Sequence, residues 1–439
     1  MTDRDALHEA LTHLETRRGR LDPYRKAWTG EAPAAYLSTE SRDALDKRLT
    51  RLGVNYPRLV VSSLVDRMRV SGFRREGSQD TDPETWRLYR RAGLVSGSEL
   101  VHTDRALYGC AYVTVWGHAR DPRRPVAMLD NPRTLHAETD PATGEVLRAV
   151  RAWRSGGRSH AVLLTPETMT RYRAESADIS PALGWEQHGP TADNPWGEVP
   201  VVPFVRRGAT DDDDGTSAVA DVLDLSAATA KVLQDAMVTS EWHARPRRWA
   251  TGLEIREDDD GNPVDPFGDA RLLQSEDPET RFGQLDPVRL DGYADLLAVL
   301  TQQVGALTGL PPHYLGLHGD QPANADGVRA AETQLVSRAY SEMRQSTAPW
   351  GRVAGWLRAV SGGLPEIPDD SLPTWANPET RTPAQAADAA MKLHTIGVPL
   401  GPLLREPLGY EPHEVTAILS EQRTDAITRA GVSLGSVLR

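Results

Sequence analysis

The twelve histidines of the chain are the first place to look for metal or acid–base chemistry. None stands in an HExxH, and no pair has metal-ligand spacing inside a helical pattern, so each reads as an ordinary surface or core histidine. The single cysteine, Cys110, lies in an apolar strand pattern, which assigns it to packing rather than nucleophilic catalysis. Being alone, it excludes an internal disulfide and a multi-cysteine zinc site. There is no GxxxxGK[ST], no GxGxxG joins a strand to a helix, and Gly97, Ser98 and Glu99 lack the glycine spacing of a nucleophile elbow. Asp258, Asp260 and Asn262 begin like a calcium loop, but Pro263 stands where the sharp turn needs glycine and Asp269 where the bidentate glutamate belongs. Asp211 to Asp214 reads as a solvated loop that carboxylate repulsion keeps extended, with divalent-ion binding as the alternative. Arg245, Arg247 and Arg248 beside Trp249 form the compact basic and aromatic patch, suited to phosphates or an acidic partner. The same cations would also complement the dipole at a helix end. These residues assign no catalytic group, metal site or cofactor.

The elements that must position such residues are bounded by composition. The chain has 439 residues, 39% hydrophobic and 26% charged, enough for a sizeable core. At roughly 150 residues per domain this allows about three units. A net charge of −12 argues against wrapping nucleic acid by phosphate neutralisation, so contact with DNA is expected to be glancing. The charged start MTDRDALHEALTHLETRRGR lacks the apolar stretch of a signal peptide, and no run approaches 18 apolar residues. A soluble, non-secreted protein with no membrane partner is expected.

Leu7, Leu11 and Leu14, then Leu45, Leu49 and Leu52, predict two short amphipathic helices. Leu59, Val60, Leu64, Val65 and Met68 predict a third, with Pro57 in its first turn. A helix is predicted over Trp86 to Leu107 and a β-rich region over about 109–206, with Asp140 to Gly144 as a hairpin turn. A long helix starts at Ser217 with Val219, Leu223, Ala227, Ala230, Leu233 and Met237 as its stripe. A turn-rich insertion with two short strands occupies 245–286. Leu290, Tyr293, Leu297, Leu300, Val304 and Leu307 alternate spacings of three and four in a second long helix that ends at Gly309. A polar loop follows, then a helix carrying Val328, Leu335, Ala339 and Met343 that is expected to restart after Pro349. The proline-rich GGLPEIPDDSLP reads as a linker, and Ala384 to Leu393, Pro402 to Leu408 and His413 to Arg429 as helices of a small terminal domain.

NYPRLVVSSLVDRMRVSGFR, GEVPVVPFVRR, QVGALTGLPPHYLG and TWANPETRTPAQAADAAMKLHTIGVP, in this order around two long helices, resemble the portal proteins of tailed bacteriophages, particularly the siphophage type. The resemblance implies an α+β subunit: an α/β wing over 1–216, stem helices over 217–244 and 287–310, and a small α/β clip over 245–286. A tunnel loop over 311–327, a long helix returning to the wing over 328–375 and a helical crown over 376–439 complete it. It further implies a structural protein, not an enzyme, that forms a homo-oligomeric ring, typically of twelve subunits, at one capsid vertex of the virion. The ring would assemble in the host cytoplasm. Double-stranded DNA would pass through it, without sequence-specific binding, during packaging and ejection. Partners would be the terminase motor, the major capsid and scaffolding proteins, and head-completion or adaptor proteins. On this reading His313, Gly316, His318, Gly319, Asp320 and Asn324 face DNA from the tunnel loop, where the glycines, with Gly327, allow movement. Arg245, Arg247, Arg248 and Trp249 face clip partners, and Leu223, Leu233, Leu290, Tyr293, Leu297, Leu300, Val304 and Leu307 pack the stem. An enzyme with catalytic residues dispersed in sequence, or a non-portal phage structural or adaptor protein, are the rival readings.

Overall fold

A computed structural model of the chain describes residues 2–31, 54–78, 80–176, 178–244, 248–252, 279–284, 290–317, 325–379, 383–405, 407–410 and 412–437. The fold is mixed α and β. It divides into two compact units: Met1–Thr29, Asn55–Leu223 and Gly305–Arg439 form the first, and Gly30–Val54 with Asp224–Val304 the second.

In the first unit, α1 (Asp3–Thr29) is one helix of 27 residues rather than a short one. Its apolar row runs on through Leu21, and Pro23 inside it removes a single hydrogen bond. The row from Ala6 to Leu14 covers one face of a six-stranded antiparallel sheet built from β4 (Leu135–Thr139), β5 (Val146–Ser155), β6 (Arg158–Leu164), β7 (Thr168–Ala174), β8 (Glu186–Gln187) and β9 (Ala192–Asp193). Val150, Ala152, Ala161 and Leu163 point to that face, two residues apart on each strand. The hairpin expected at Asp140 to Gly144 joins β4 to β5: Asp140 Oδ1 accepts from the Ala142 N–H, and Gly144 takes the left-handed φ of 76°. The helix predicted from Leu45, Leu49 and Leu52 lies outside the described residues.

α2 (Tyr56–Val65) is capped by Asn55, which accepts from the Arg58 N–H, and has Pro57 in its first turn. It ends before Met68, and β1 (Val70–Arg75) follows where helix had been expected. β1 pairs antiparallel with β13 (Ser371–Trp375), so the tail of the supposed proline-rich linker is a strand. A partner 300 residues away leaves no local signal in either segment. The helix predicted over Trp86 to Leu107 is two helices, α3 (Pro83–Arg91) and α4 (Leu94–Tyr108), parted at Gly93 with φ 75°. A three-stranded sheet follows in the order β10 (Val201–Val205), β2 (Cys110–His118), β3 (Asp121–Asp130).

Against that sheet lies the 38-residue helix α7 (Ala325–Gly362). It runs through Pro349 without the expected restart, because Trp350, Val353, Trp356, Leu357 and Val360 immediately beyond belong to an extensive hydrophobic core. Burying that row outweighs the one hydrogen bond Pro349 cannot make. Trp350 packs edge-on against Phe204 and Tyr89, with ring centroids 4.8 and 5.5 Å away, and donates from Nε1 to His102 Nε2 at 2.9 Å. Three helices close this unit, α8 (Pro383–Thr395), α9 (Leu400–Arg405) and α10 (Pro412–Val437), close to the three expected.

The second unit holds α5 (Leu223–Ala244), reached through a 3-10 turn at Ala220–Val222 rather than starting at Ser217, and most of α6 (Asp291–Thr308). Between them in sequence, β11 (Arg248–Thr251) and β12 (Arg281–Gln284) form an antiparallel ribbon, two strands in the insertion as expected.

Candidate functional site

The residues expected to pack the stem fall into two groups. Along α6, Val304 is buried, Tyr293, Leu297 and Leu300 are half-buried and Leu307 is exposed, as is Leu290 just before it. Leu296 and Val299, which the three-and-four pattern omitted, are also exposed, at 47% and 52%. The helix therefore carries more apolar surface than its own chain covers. On α5, Leu223 and Leu233 are half-buried, Met237 is exposed, and the buried positions are the polar Thr229 and Gln234. Within this unit a hydrogen bond joins Thr239 Oγ1 and the Tyr293 hydroxyl at 3.0 Å.

In the ribbon, Trp249 stands opposite Gly283 and its indole lies over that glycine, where a β-carbon would meet the ring. An aromatic ring over a cross-strand glycine replaces the packing the missing side chain would give. Trp249 is nevertheless 43% exposed, so it remains available to a partner. Arg248 begins the strand; Arg245 and Arg247, and the calcium-like positions Asp258 to Asp269, lie outside the described residues.

Beyond α6, Gly309 at φ 69° stops the helix, and Pro312–Leu315 forms a 3-10 turn closed by Gly316 at φ 73°. This turn is fixed in the first unit by a buried polar cluster that the sequence reading did not single out. Arg67 Nη2 lies 3.1 Å from Glu332 Oε1, with both side chains no more than 10% exposed. The Tyr314 hydroxyl donates to Glu332 Oε1 at 3.1 Å and accepts from Arg67 Nη2 at 3.1 Å. Arg67 also lies over the Tyr314 ring, 5.8 Å from its centroid, and His313 Nε2 is 4.0 Å from the same carboxylate oxygen. Leu315 fills the space left by Gly305, and Arg338 Nη2 donates to the Leu307 carbonyl at 2.6 Å.

His313 is thus half-buried in the loop's root, and Gly316 serves as its left-handed stop. His318, Gly319, Asp320 and Asn324 lie outside the described residues. Gly327 belongs to α7 rather than to a mobile loop, because the helix begins at Ala325. The missed cluster does leave a signal. Glu332 falls on the helix stripe of Leu335, Ala339 and Met343, and a carboxylate on an apolar face needs a buried cation. Glu342 repeats this further along α7, where it meets the buried Arg105 and accepts from Arg206 Nε at 2.8 Å.

The acidic run departs from the extended loop expected of it. Asp212 accepts from the Gly208 N–H and from the Thr216 hydroxyl, Asp214 pairs with Arg20 and Arg17, and Asp213 with Arg207. Arginines offset the repulsion and fold the run into a turn. Arg17 also donates to the Tyr112 hydroxyl at 2.7 Å and to Cys110 Sγ at 3.0 Å. Cys110 is fully buried, and burial pushes its thiol pKa up, which fits packing and not nucleophilic attack.

The profile described as "Phage portal protein, SPP1 Gp6-like" matches residues 7–400. The chain belongs to that family. The portal protein of Mycobacterium phage D29 is 32% identical over 384 residues, covering 81% of this chain and 76% of that one. The portal protein of Mycobacterium phage L5 is 31% identical over 374 residues, covering 78% and 73%. Among solved structures, a chain of the virion of a native gene transfer agent particle is similar at TM-score 0.45 and 15% identity, covering 86% of this chain and 95% of that chain. A chain from the neck of the native particle, computed with C12 symmetry, is similar at TM-score 0.45 and 15% identity, covering 83% and 91%. The portal chain is a structural component of the virion and not an enzyme, which sets aside both the dispersed-site enzyme and the non-portal adaptor.

Proposed function

We propose that copies of this chain close into a ring, typically of twelve, whose central channel conducts double-stranded DNA into the capsid and out again. In this reading α5 and α6 are the stem, the β11–β12 ribbon is the clip that meets the terminase and later the head-completion proteins, and Pro311 to Gly327 is the tunnel loop. The helices from Pro383 onward are the crown, and the capsid and scaffolding proteins surround the wing.

The observation that carries the reading is the uncovered apolar surface of α6. Leu290 just before α6, and Leu296, Val299 and Leu307 on it, are all at least 42% exposed in the single chain, while Val304 is buried and Tyr293, Leu297 and Leu300 are half-buried. A cyclic ring buries such surface because each subunit offers two different faces to its neighbours. Burying one Val or Leu side chain contributes about 1.5–3 kcal/mol, and a ring repeats that contribution at every interface. A net charge of −12 per chain, repeated around a channel, disfavours gripping the DNA that passes.

Val299→Asp tests the stem. The residue is half exposed in the monomer, so the folded chain tolerates the carboxylate while a subunit interface does not. The expected outcome is closed rings of about a dozen subunits for the parent chain and folded monomers for the variant, read by electron cryo-microscopy and solution mass. Rings of normal size and yield from Val299→Asp overturn the stem assignment. Leu297→Asp and Leu300→Asp also prevent assembly on this reading, but with some loss of monomer stability.

A further inference from the structure

Two sheets of the first unit each have one face under a helix, and their other faces meet. Val150, Ala152, Ala161 and Leu163 lie under α1, so the alternate residues of β5, β6 and β7 point the opposite way. Val113 and Val115 lie in the core with α7, which turns Thr114 and Trp116 of β2 outward. The two outward faces pack together at Tyr112, Ala149, Leu164 and Val201 and open into a groove of about 520 Å³ that none of the roles above uses. That is the size of a binding site rather than of a packing defect.

One wall of the groove is a regular grid. The register of β5, β6 and β7 sets Trp153 beside His160, Arg151 beside Val162 and Arg171, and Leu164 beside Met169, in successive rows two residues apart along the strands. At about 3.3 Å per residue the first and last rows stand about 13 Å apart, which is four steps of an extended peptide. The Trp153 and His160 rings stack with centroids 5.5 Å apart, so the first row is a flat aromatic surface, and the third row is apolar. The middle row is cationic, but its two arginines differ. Arg151 donates from Nε to the Asp130 carboxylate at 2.8 and 2.9 Å and lies over the Trp153 ring. Arg171 is exposed and makes no ion pair or side-chain hydrogen bond among the described residues. Facing the grid are Trp116, held edge-on against Trp196 at 5.4 Å, and Val126 and Met128 of β3. Thr114 also lines the groove; it is 2% exposed, and its hydroxyl has no hydrogen-bond partner among the described residues. A buried hydroxyl left unpaired is costly, and an occupant carrying backbone N–H and C=O groups removes that cost.

We infer that this groove binds an extended peptide segment of a partner protein with the pattern apolar-x-acidic-x-apolar. Alternate residues of an extended chain point to one side, so three side chains at that spacing meet the three rows in register. An apolar side chain lies on the stacked rings, a carboxylate meets Arg171, and a second apolar side chain packs on Leu164 and Met169. Charge complementarity selects the acid, because none of the described residues lining the groove is a carboxylate that could compete for Arg171. The inference uses nothing of the ring or its channel.

The test is isothermal titration calorimetry of the full-length protein with two unlabelled, end-blocked peptides, Gly-Ser-Phe-Thr-Glu-Thr-Leu-Ser-Gly and the same sequence with Phe and Leu exchanged, which cover both chain directions. Saturable binding of at least one is expected. Replacing its Glu by Lys, or moving the Glu one position so that it faces the other way, is expected to weaken binding at least about threefold. Arg171→Glu is expected to lose the Glu peptide by at least the same factor and to bind the Lys peptide better than the parent does, while Arg90→Glu, an exposed change elsewhere on the unit, alters neither. No saturable binding by the parent, indifference to the position of the Glu, or equal losses in the two variants overturns the proposal. Phenylacetate binding as tightly as the better peptide makes the groove a small-molecule site and overturns it as well. Sedimentation of the same samples covers the remaining occupant: self-association that Arg171→Glu abolishes, with no peptide bound by the parent, assigns the groove to a second copy of the chain instead.

Discussion

Glu332→Ala cuts the buried cluster that fixes the turn at Pro312–Leu315, and its cost follows from the geometry. At 3.1 Å and an effective dielectric of 20, the attraction between Arg67 and Glu332 is about 5 kcal/mol. Part of this offsets the burial of two charges no more than 10% exposed, so the net worth of the intact pair is small. Removing one partner is different, because the guanidinium stays buried without its counter-ion. Such a loss costs about 3–5 kcal/mol. Arg67 keeps weaker partners in the Ser63 carbonyl at 3.3 Å and the Tyr314 hydroxyl, which places the cost near the lower end. Tyr314 also loses its acceptor, about 1 kcal/mol more. Glu332→Ala is therefore expected to destabilise the first unit by about 3–4 kcal/mol, and Glu332→Gln, which keeps an acceptor, by less.

Urea unfolding followed by tryptophan fluorescence reads the change as a shift of midpoint at constant slope. Arg67→Met/Glu332→Leu removes both charges and leaves neither buried alone, so the double variant is expected within about 1 kcal/mol of the parent. The cycle separates this explanation from simple loss of packing, which predicts that the two single costs add. A Glu332→Ala cost under about 1 kcal/mol, or a double variant equal to the sum of its singles, refutes the reasoning.

Gly355 sits on the buried face of α7, where a β-carbon would overlap the carbonyl oxygen of Pro368, which belongs to backbone and cannot swing away. Gly355→Ala is expected to destabilise by about 1–3 kcal/mol, measured as above, although alanine is the better helix former; a stabilised variant would contradict the close approach. Acid stability tests two histidines, His102 buried and His136 half-buried. Burial and the neighbouring Arg105 push the His102 pKa down to about 3, and burial with Arg17 pushes His136 down to about 4. Both are depressed from an ordinary 6.5, so the unfolded chain takes up protons first: their contribution is intact above pH 6.5 and is lost as pH falls through their folded values. Each costs about 1.4 kcal/mol per pH unit within its window, and a melting temperature that stays flat between pH 6.5 and 5 would rule this out.

Elements whose signal is local were legible in the sequence. The seam on α6, the turn at Asp140 to Gly144 and the three terminal helices each announce themselves within a few residues, through period, turn chemistry or a stop at glycine. What escaped depends on partners far away. The pairing of β1 with β13 turns the end of one helical pattern and the end of one linker into a strand pair. The same holds for Pro349, which breaks a helix by local rules and fails to do so where Trp350 and its neighbours are buried on every side. The buried cluster at the loop root was hidden for a third reason. Its members Arg67, Tyr314 and Glu332 are unremarkable singly, and only the placement of Glu332 on an apolar stripe marks it as a residue that must be matched.

The two units use burial differently, and that difference bears on how the protein works. In the first, these carboxylates on core faces are matched by arginines: Glu332 by Arg67, Glu342 by Arg105 and Arg206. Such networks contribute little net stability but penalise every arrangement that separates their members, so they fix a single geometry for the loop root and the sheet beneath it. In the second, polar Thr229, Gln234 and Thr301 are buried while leucine and valine on α6 are left uncovered, a distribution that a self-sufficient helix pair would invert. If the proposed ring forms, such a unit gains its remaining stability from association, in proportion to how completely a neighbour covers Leu296 and Val299. On the proposed reading, the wing geometry is set before assembly and the stem geometry by it, which is the order a closed ring requires: subunits rigid enough to fix the rotation between neighbours, joined through a surface that is complete only when the last one closes the circle.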